Sequence, residues 1–211
     1  MVLNSYTKIK NIWKKKRKDG KKMDNSDLEV AKMLNEYKTK AYGSLEEGVY
    51  IKEKLYEFER VSLFEDKFSI MLPKDFVDMP DNIKKMKYLA EQRPQIIKTI
   101  PTGGVDIGFS LLDVTMTNAQ LPQIFQQSKN AIRKLNPANV VIGENQIEGK
   151  DIFLIWMDYI SPALDGQIYN IMFLANLGEY SYHGIFNCAI SEMETWKNVV
   201  KDILASIQMG V

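Results

Sequence analysis

Three consecutive apolar runs between Asp151 and Ala189 dominate the hydrophobic pattern of the chain: DIFLIWMDYI, QIYNIMFLANL and YSYHGIFNCA. Both alternating sets of positions are apolar in the first two runs, whereas apolar and polar residues alternate in the third. Turn residues at Pro162, Gly166 and Gly178 separate the runs, which predicts three antiparallel strands. A strand that is apolar on both sides needs cover on both faces of its sheet. We therefore expect a central meander covered on both faces, with the third strand nearer an edge.

Two segments with helical periodicity could supply that cover. Residues 121–135 end at Asn136-Pro137, and residues 192–207 follow a possible capping box formed by Ser191 and Glu194. In both segments the apolar residues recur every three or four positions, which predicts helices that lie on the sheet. The expected buried positions are Leu121, Ile124, Phe125, Ile132, Leu135, Met193, Trp196, Val199, Val200, Ile203, Leu204 and Ile207.

The region before residue 121 predicts further strands and one short helix. Residues 49–63 and 67–72 are expected to be a long strand and a second strand joined by a tight turn, and Gly103-Gly104 marks another hairpin. Residues 140–146 are expected to be a strand. A helix over 80–93 should place Ile83, Met86 and Ala90 inward and Lys84, Lys85 and Lys87 outward. The pattern as a whole predicts an α+β fold in which an antiparallel sheet is sandwiched between helices.

The N-terminal part differs in composition from the rest of the chain. We predict a basic tail over residues 1–22, an N-terminal helix over 23–47, and a single α+β domain over 48–211. Three interpretations of the tail stay open: a helix that contacts membranes or anionic partners, a solvated disordered tail, or a segment that is not normally translated because Met23 is the start. The contact residues of the first interpretation would be Ile9, Ile12, Trp13, Lys14, Lys15, Lys16 and Arg17.

Length, charge and cysteine content narrow the class of protein. With 211 residues, 45% of them hydrophobic, the chain can bury one substantial core. Cys188 is the only cysteine, so no intramolecular disulfide forms, and no apolar run is long enough for a membrane span. We expect a cytoplasmic protein. The net charge of the chain is +1, and residues 1–22 alone carry +8. The remaining residues therefore carry a net charge of −7, which argues against nucleic-acid binding.

Candidate catalytic residues are few. His183 lies on the polar side of the third run, and a carboxylate such as Asp158 on the neighbouring strand could serve as its partner. Cys188 lies on the apolar side and is expected to be a core residue. One histidine and one cysteine on opposite faces do not form a metal site, and no nucleotide-binding or nucleophile motif is present. We expect no metal, no cofactor and no enzymatic activity. The carboxylates Glu144, Glu148, Asp151 and Asp158 near one sheet turn are too common a pattern to indicate catalysis.

The order of elements resembles the PsbP-like superfamily. The resemblance lies in FSIMLPKDF (residues 68–76), RPQII (residues 93–97) and the closing helix after the meander, and it covers residues 50–208. That superfamily includes a photosystem extrinsic protein, a Ran-binding nuclear transport factor and the bacterial DcrB-like proteins, and we assign the resemblance to the DcrB-like branch. The resemblance implies an antiparallel sheet between helices and a protein-binding role, since members are mostly binding modules and the DcrB-like branch includes chaperones that shield hydrophobic segments of a client.

The leading hypothesis is a non-catalytic bacterial adaptor or chaperone-like module that binds a partner polypeptide. The partner would bind to the sheet face or to the loop between Pro73 and Pro80. The predicted partner-binding residues of that loop are Phe76, Val77 and Met79, which we expect to form one exposed apolar patch. Two alternatives remain at this point. One is a peripheral membrane protein that uses the basic tail. The other is a hydrolase or small-ligand enzyme in which His183 converges with carboxylates in a pocket.

Overall fold

The computed structural model describes residues 43–51, 54–88 and 93–210. The chain divides into two compact units, residues 1–44 and 45–211, and the following description concerns the second. The basic tail, its proposed contact residues from Ile9 to Arg17, and nearly all of the predicted helix over 23–47 lie outside the described residues, so these remain predictions. The elements in chain order are β1 (Gly43–Ser44), β2 (Gly48–Ile51), β3 (Lys54–Tyr56), β4 (Phe58–Leu63), β5 (Phe68–Pro73), β6 (Val77–Asp78), α1 (Asp81–Lys87), β7 (Ile96–Thr99), β8 (Val105–Leu111), α2 (Leu121–Leu135), β9 (Val140–Glu148), β10 (Ile152–Ala163), β11 (Gly166–Leu177), β12 (Tyr180–Ala189), a 3₁₀ turn (Ile190–Glu192), α3 (Met193–Ala205) and β13 (Gln208–Met209).

A seven-stranded antiparallel sheet forms the centre, in the order β6-β7-β8-β12-β11-β10-β9. The predicted meander is its β10-β11-β12 part, which confirms those three strands. The expectation that the third strand lies near an edge is wrong, because β12 also pairs with β8. Its polar positions do not face open solvent along an edge. They include Asn187, which donates a hydrogen bond to Tyr88 on the same side of the sheet.

A smaller sheet, β13-β5-β4, packs beside the first and contains the predicted hairpin. Its turn is tight, since Phe64, Glu65 and Asp66 all adopt positive φ angles. Phe68, Ile70 and Leu72 of β5 are buried as expected. The prediction of one long strand over 49–63 is wrong. The chain forms β2 and β3, which pair antiparallel with each other, before β4 begins, because charged residues interrupt the apolar pattern there.

Helices α2 and α3 cover opposite faces of the large sheet. Leu121 and Phe125 of α2 pack against Phe153, Met157 and the other residues of β10 and β11 that point to that face. Leu135, in contrast, is 85% exposed, so its predicted burial is wrong. The reason is its place at the last residue of α2, beyond the contact with the sheet. The five buried residues of α3 are Trp196, Val199, Val200, Ile203 and Leu204.

Two further details of the helices differ from the sequence prediction. Ser191 and Glu194 do not form a capping box, because Ser191 lies inside the 3₁₀ turn and Glu192 occupies the N-cap of α3. Helix α1 ends at Lys87, and its Met86 is 75% exposed instead of buried. Polar contacts made by Lys87 and Tyr88 hold this end of α1 on the sheet. The predicted α+β fold, an antiparallel sheet between helices, is nevertheless confirmed.

Candidate functional site

A cleft of about 660 Å³ opens where the β2-β3 hairpin, the β7-β8 turn and the start of α3 meet. We call it the Trp196 cleft. Its apolar lining comes from Ile51, Tyr56, Ile100, Val105 and Trp196. These residues are far apart in sequence and are brought together by the pairing of β7 with β8 and by the buried stripe of α3. A concave, mostly apolar surface with a few polar groups is typical of a binding site.

The floor of the cleft is an aromatic cluster centred on Trp196. Its side chain is 2% exposed, and its ring centroid lies 5.5 Å from that of Tyr56 in an edge-to-face arrangement. Phe76 and Phe186 complete the cluster, with centroids 6.1 and 6.3 Å from Trp196. Aromatic pairs at these separations stabilise one another beyond their burial alone. The floor of the cleft is therefore a packed aromatic unit.

The rim of the cleft is polar. Lys54 forms an ion pair with Asp75, and its ammonium group lies 4.4 Å above the centre of the Tyr56 ring. The hydrogen bond to Asp75 raises the pKa of Lys54. Thr102 and Ser191 line the cleft and are exposed. Such a rim can form hydrogen bonds with a ligand whose apolar part contacts Tyr56 and Ile100, the half-buried apolar residues of the lining.

The predicted partner-binding residues occupy three different environments. Phe76 is half-buried against Trp196, Val77 is exposed on β6, and Met79 is 3% exposed in the core. The expected exposed patch of all three side chains does not form, because Met79 packs inward while its backbone N–H bonds Ile97 on β7. A partner-binding role for these residues remains a prediction, and Phe76 contacts the floor of the cleft through Trp196.

His183 and Asp158 lie on opposite faces of the large sheet, so they cannot form the pair considered from the sequence. The register places His183 opposite Leu174 on β11 and Ser110 on β8, whereas Asp158 is opposite Ile171. Side chains along a strand alternate between faces, and 171 and 174 differ by an odd number. Burial lowers the pKa of His183, which favours the neutral imidazole.

Asp158 instead joins α3 to the sheet. Its carboxylate accepts a hydrogen bond of 3.0 Å from the Tyr169 hydroxyl and lies 3.2 Å from Lys197 Nζ on α3. Burial and the adjacent Asp158 raise the pKa of Tyr169. The sequence feature that indicates this contact is the charged residue Asp158 within a strand that is apolar on both sides.

A second buried carboxylate, Asp106 on β8, holds the end of α1. Lys87 Nζ lies 2.7 Å from one oxygen, and the Tyr88 hydroxyl donates a hydrogen bond of 2.9 Å to the other. Asn187 donates to the same hydroxyl oxygen. Burial, followed by the charge of Asp106, raises the pKa of Tyr88. Both buried carboxylates are therefore engaged in holding helices on the sheet, which the sequence analysis did not foresee for Asp106.

Cys188 is buried as predicted, and this has a measurable consequence. Burial raises the pKa of its thiol to about 12, and only the thiolate reacts as a nucleophile. At about pH 8, we expect the folded protein to react with an aromatic disulfide reagent on the order of a thousandfold more slowly than the same protein in denaturant. Equal rates in the two conditions would contradict the burial of this thiol.

Within the part of the chain that the structure describes, no group of three His, Cys, Asp or Glu side chains is close enough to hold a metal ion. The same residues include no helix that is both long and apolar enough to span a membrane.

The large antiparallel sheet, with a helix on each face, is a PsbP-like fold, as the sequence resemblance implied. The cyanobacterial PsbP protein (CyanoP) of Synechocystis superposes with a TM-score of 0.55 at 7% identity, covering 77% of this chain and 98% of its own. The Saccharomyces cerevisiae Ran-binding protein Mog1p superposes with a TM-score of 0.49 at 12% identity, covering 73% of this chain and 96% of its own. LpqN of Mycobacterium tuberculosis, involved in cell envelope biogenesis, superposes with a TM-score of 0.47 at 11% identity, covering 77% of this chain and 95% of its own. No protein-family model and no curated protein matches the chain. The similarity to the DcrB-like branch remains a prediction.

Proposed function

We propose that this protein is a non-catalytic interaction module, an adaptor or chaperone-like protein, that binds a partner polypeptide in the Trp196 cleft. The observation that carries the proposal is the cleft itself, about 660 Å³ with an aromatic floor and a polar rim. Protein interfaces obtain most of their binding energy from a few apolar or aromatic side chains buried in such pockets. The occupant that fits is a short segment of a partner with a large apolar anchor such as Leu, Met or Phe, because the cleft is larger than one side chain.

The positions of the polar groups support binding in preference to catalysis at this site. Lys54 is held by Asp75 at the rim, and the exposed hydroxyls of Thr102 and Ser191 have the chemistry to bond a peptide backbone. Neither His183 nor Cys188 is among the residues that line the cleft. The charged residues that do line the cleft are Lys54, which is paired with Asp75, and Glu192, so the case for binding rests on the apolar lining.

This proposal changes the role of the residues predicted from sequence. Phe76 would act as a positioning residue that supports the Trp196 ring, and Val77 would be the exposed member of the set. A client with an exposed hydrophobic segment would suit the cleft, which agrees with the chaperone-like role that the DcrB-like resemblance implies. Shielding one apolar side chain at a time would give weak, reversible binding.

Narrowing the cleft should weaken this binding. We expect peptides selected from a displayed random library on the full-length protein to share one large apolar residue, and to lose affinity by roughly tenfold or more for the Thr102→Trp variant. The new indole would occupy the space of the anchor while Thr102 itself is exposed and tolerant of substitution. Fluorescence anisotropy with the selected peptides measures the change.

The matched control is Leu135→Trp, which adds an indole at an exposed position on the opposite face of the sheet. It should leave the affinities unchanged. Peptides that bind wild type and Thr102→Trp equally, with both proteins folded by circular dichroism, would remove the Trp196 cleft as the site.

A further inference from the structure

Strand β9 forms one edge of the large sheet over nine residues, Val140–Glu148. Within residues 43–51, 54–88 and 93–210, β10 is the only strand that pairs with it. An edge strand of this length presents a row of backbone donors and acceptors to which another extended chain can add. Natural proteins usually protect such an edge, so its details decide what can bind.

The hydrogen-bonding register shows which backbone groups point outward. Gly149 N–H donates to the Ile152 carbonyl at 2.8 Å, which makes Glu148 and Phe153 a pair without mutual hydrogen bonds. Because bonded and non-bonded pairs alternate in an antiparallel ladder, the backbone groups of Glu144, Gln146 and Glu148 point away from β10. The Asn145 side chain confirms this, since its Oδ1 accepts the Gln146 N–H at 2.9 Å.

The side chains of the same three residues give the edge an acidic character. Glu144, Gln146 and Glu148 all lie on the α2 face, because they are opposite Met157, Ile155 and Phe153. Glu144 forms an ion pair with Lys129 of α2 and accepts a hydrogen bond from Gln126. No described residue forms an ion pair with Glu148. Directly opposed unlike charges stabilise a strand pair, and like charges destabilise it.

This charge pattern disfavours a second copy of the chain as the occupant. The antiparallel self-pairing that aligns all three outward-pointing residues is centred on Gln146. It places Glu144 of each copy opposite Glu148 of the other, so each Glu148 carboxylate would meet a second carboxylate whose charge Lys129 offsets only in part. A strand with basic residues at those two positions would have the opposite effect.

We propose that the outer edge of β9 pairs with an extended segment of another protein that carries Lys or Arg opposite Glu144 and Glu148, four positions apart. The backbone of Gln146 would supply the central hydrogen bonds. Asn145 regulates this access, because its side chain occupies the Gln146 N–H and must move before a strand can pair. The surface is separate from the Trp196 cleft, which is lined by none of the β9 residues.

The probe is a fluorescent nine-residue peptide of alternating Val and Thr with Lys at the third and seventh positions, titrated into the full-length protein. We expect saturable binding and slower amide hydrogen exchange over residues 144–148. A peptide with Glu at the same two positions should bind roughly tenfold more weakly, because it repeats the like-charge contact. Equal affinity of the two peptides would overturn the assigned chemistry.

Two substitutions at the edge separate backbone pairing from simple charge attraction. Gln146→Pro removes an outward N–H and is tolerated at an edge position, so it should weaken binding roughly tenfold relative to Gln146→Ala, which keeps that N–H. Asn145→Ala frees the same N–H and should strengthen binding by roughly threefold.

Further outcomes would overturn the proposal. These are no binding of the basic peptide, unchanged affinity for Gln146→Pro, or a concentration-dependent dimer that Gln146→Pro dissolves, since the last would make a second copy the occupant. The Thr102→Trp variant should bind this peptide as wild type does. That result distinguishes failure at the edge from failure of the proposed cleft.

Discussion

Replacing Trp196 with alanine is expected to lower the free energy of unfolding by about 3–5 kcal/mol. The indole is almost completely buried, and the rings of Tyr56, Phe76 and Phe186 surround it. These neighbours come from separate strands and from the loop before β6, so they cannot collapse together to fill the space. The cost therefore includes both the lost transfer energy and a cavity. Urea unfolding followed by far-UV circular dichroism measures it.

The matched control lies on the same helix. Asn198 is exposed, and Asn198→Ala should change stability by no more than about 0.5 kcal/mol. If Trp196→Ala cost as little as this control, the aromatic floor would not be a packed unit. In that case a preformed Trp196 cleft, and the function proposed for it, would lose their structural basis.

Most of the fold could be predicted from the sequence because the pattern and the packing agree. The doubly apolar runs at 152–160 and 167–177 became strands covered on both faces by α2 and α3, and the helical stripe from Trp196 to Leu204 is buried. Periodicity reports which side of an element is covered but not by what: the α3 face of the large sheet is also covered by the smaller sheet, whose Phe68 packs on Phe109 and Tyr182. The resemblance of residues 68–76 and of the closing helix to the PsbP-like superfamily led to the same fold.

The candidate site was less accessible to prediction, because it depends on how distant elements meet. Nothing in the sequence places Tyr56, Val105 and Trp196 around one cleft. The sequence predicted that the loop before α1 is exposed. In the structure, β6 pairs with β7 and the Met79 side chain is buried in the core. The alternation in β12 correctly assigned its faces but not its place in the sheet, since a strand with one polar face can be central when that face binds polar groups such as Tyr88.

The position of Gly184 shows how closely side chains are packed on the α3 face of the large sheet, and Gly184→Ala should destabilise the protein by about 3 kcal/mol. A Cβ atom at this position would lie 1.9 Å from Phe173 Cζ. The Phe173 ring lies across Gly184 from the neighbouring strand and contacts Phe109 on the other side, with ring centroids 6.1 Å apart. Both rings are fully buried, so neither has open space into which it can move.

Gly104→Ala supplies the control, because a Cβ atom at Gly104 would meet nothing within 4 Å. It should change stability by no more than about 0.5 kcal/mol, as measured by the same urea unfolding. The double variant Gly184→Ala with Phe173→Leu should recover part of the loss, since the smaller side chain relieves the contact. Additive losses in that double variant would mean that Gly184 is required for a reason other than the Phe173 ring.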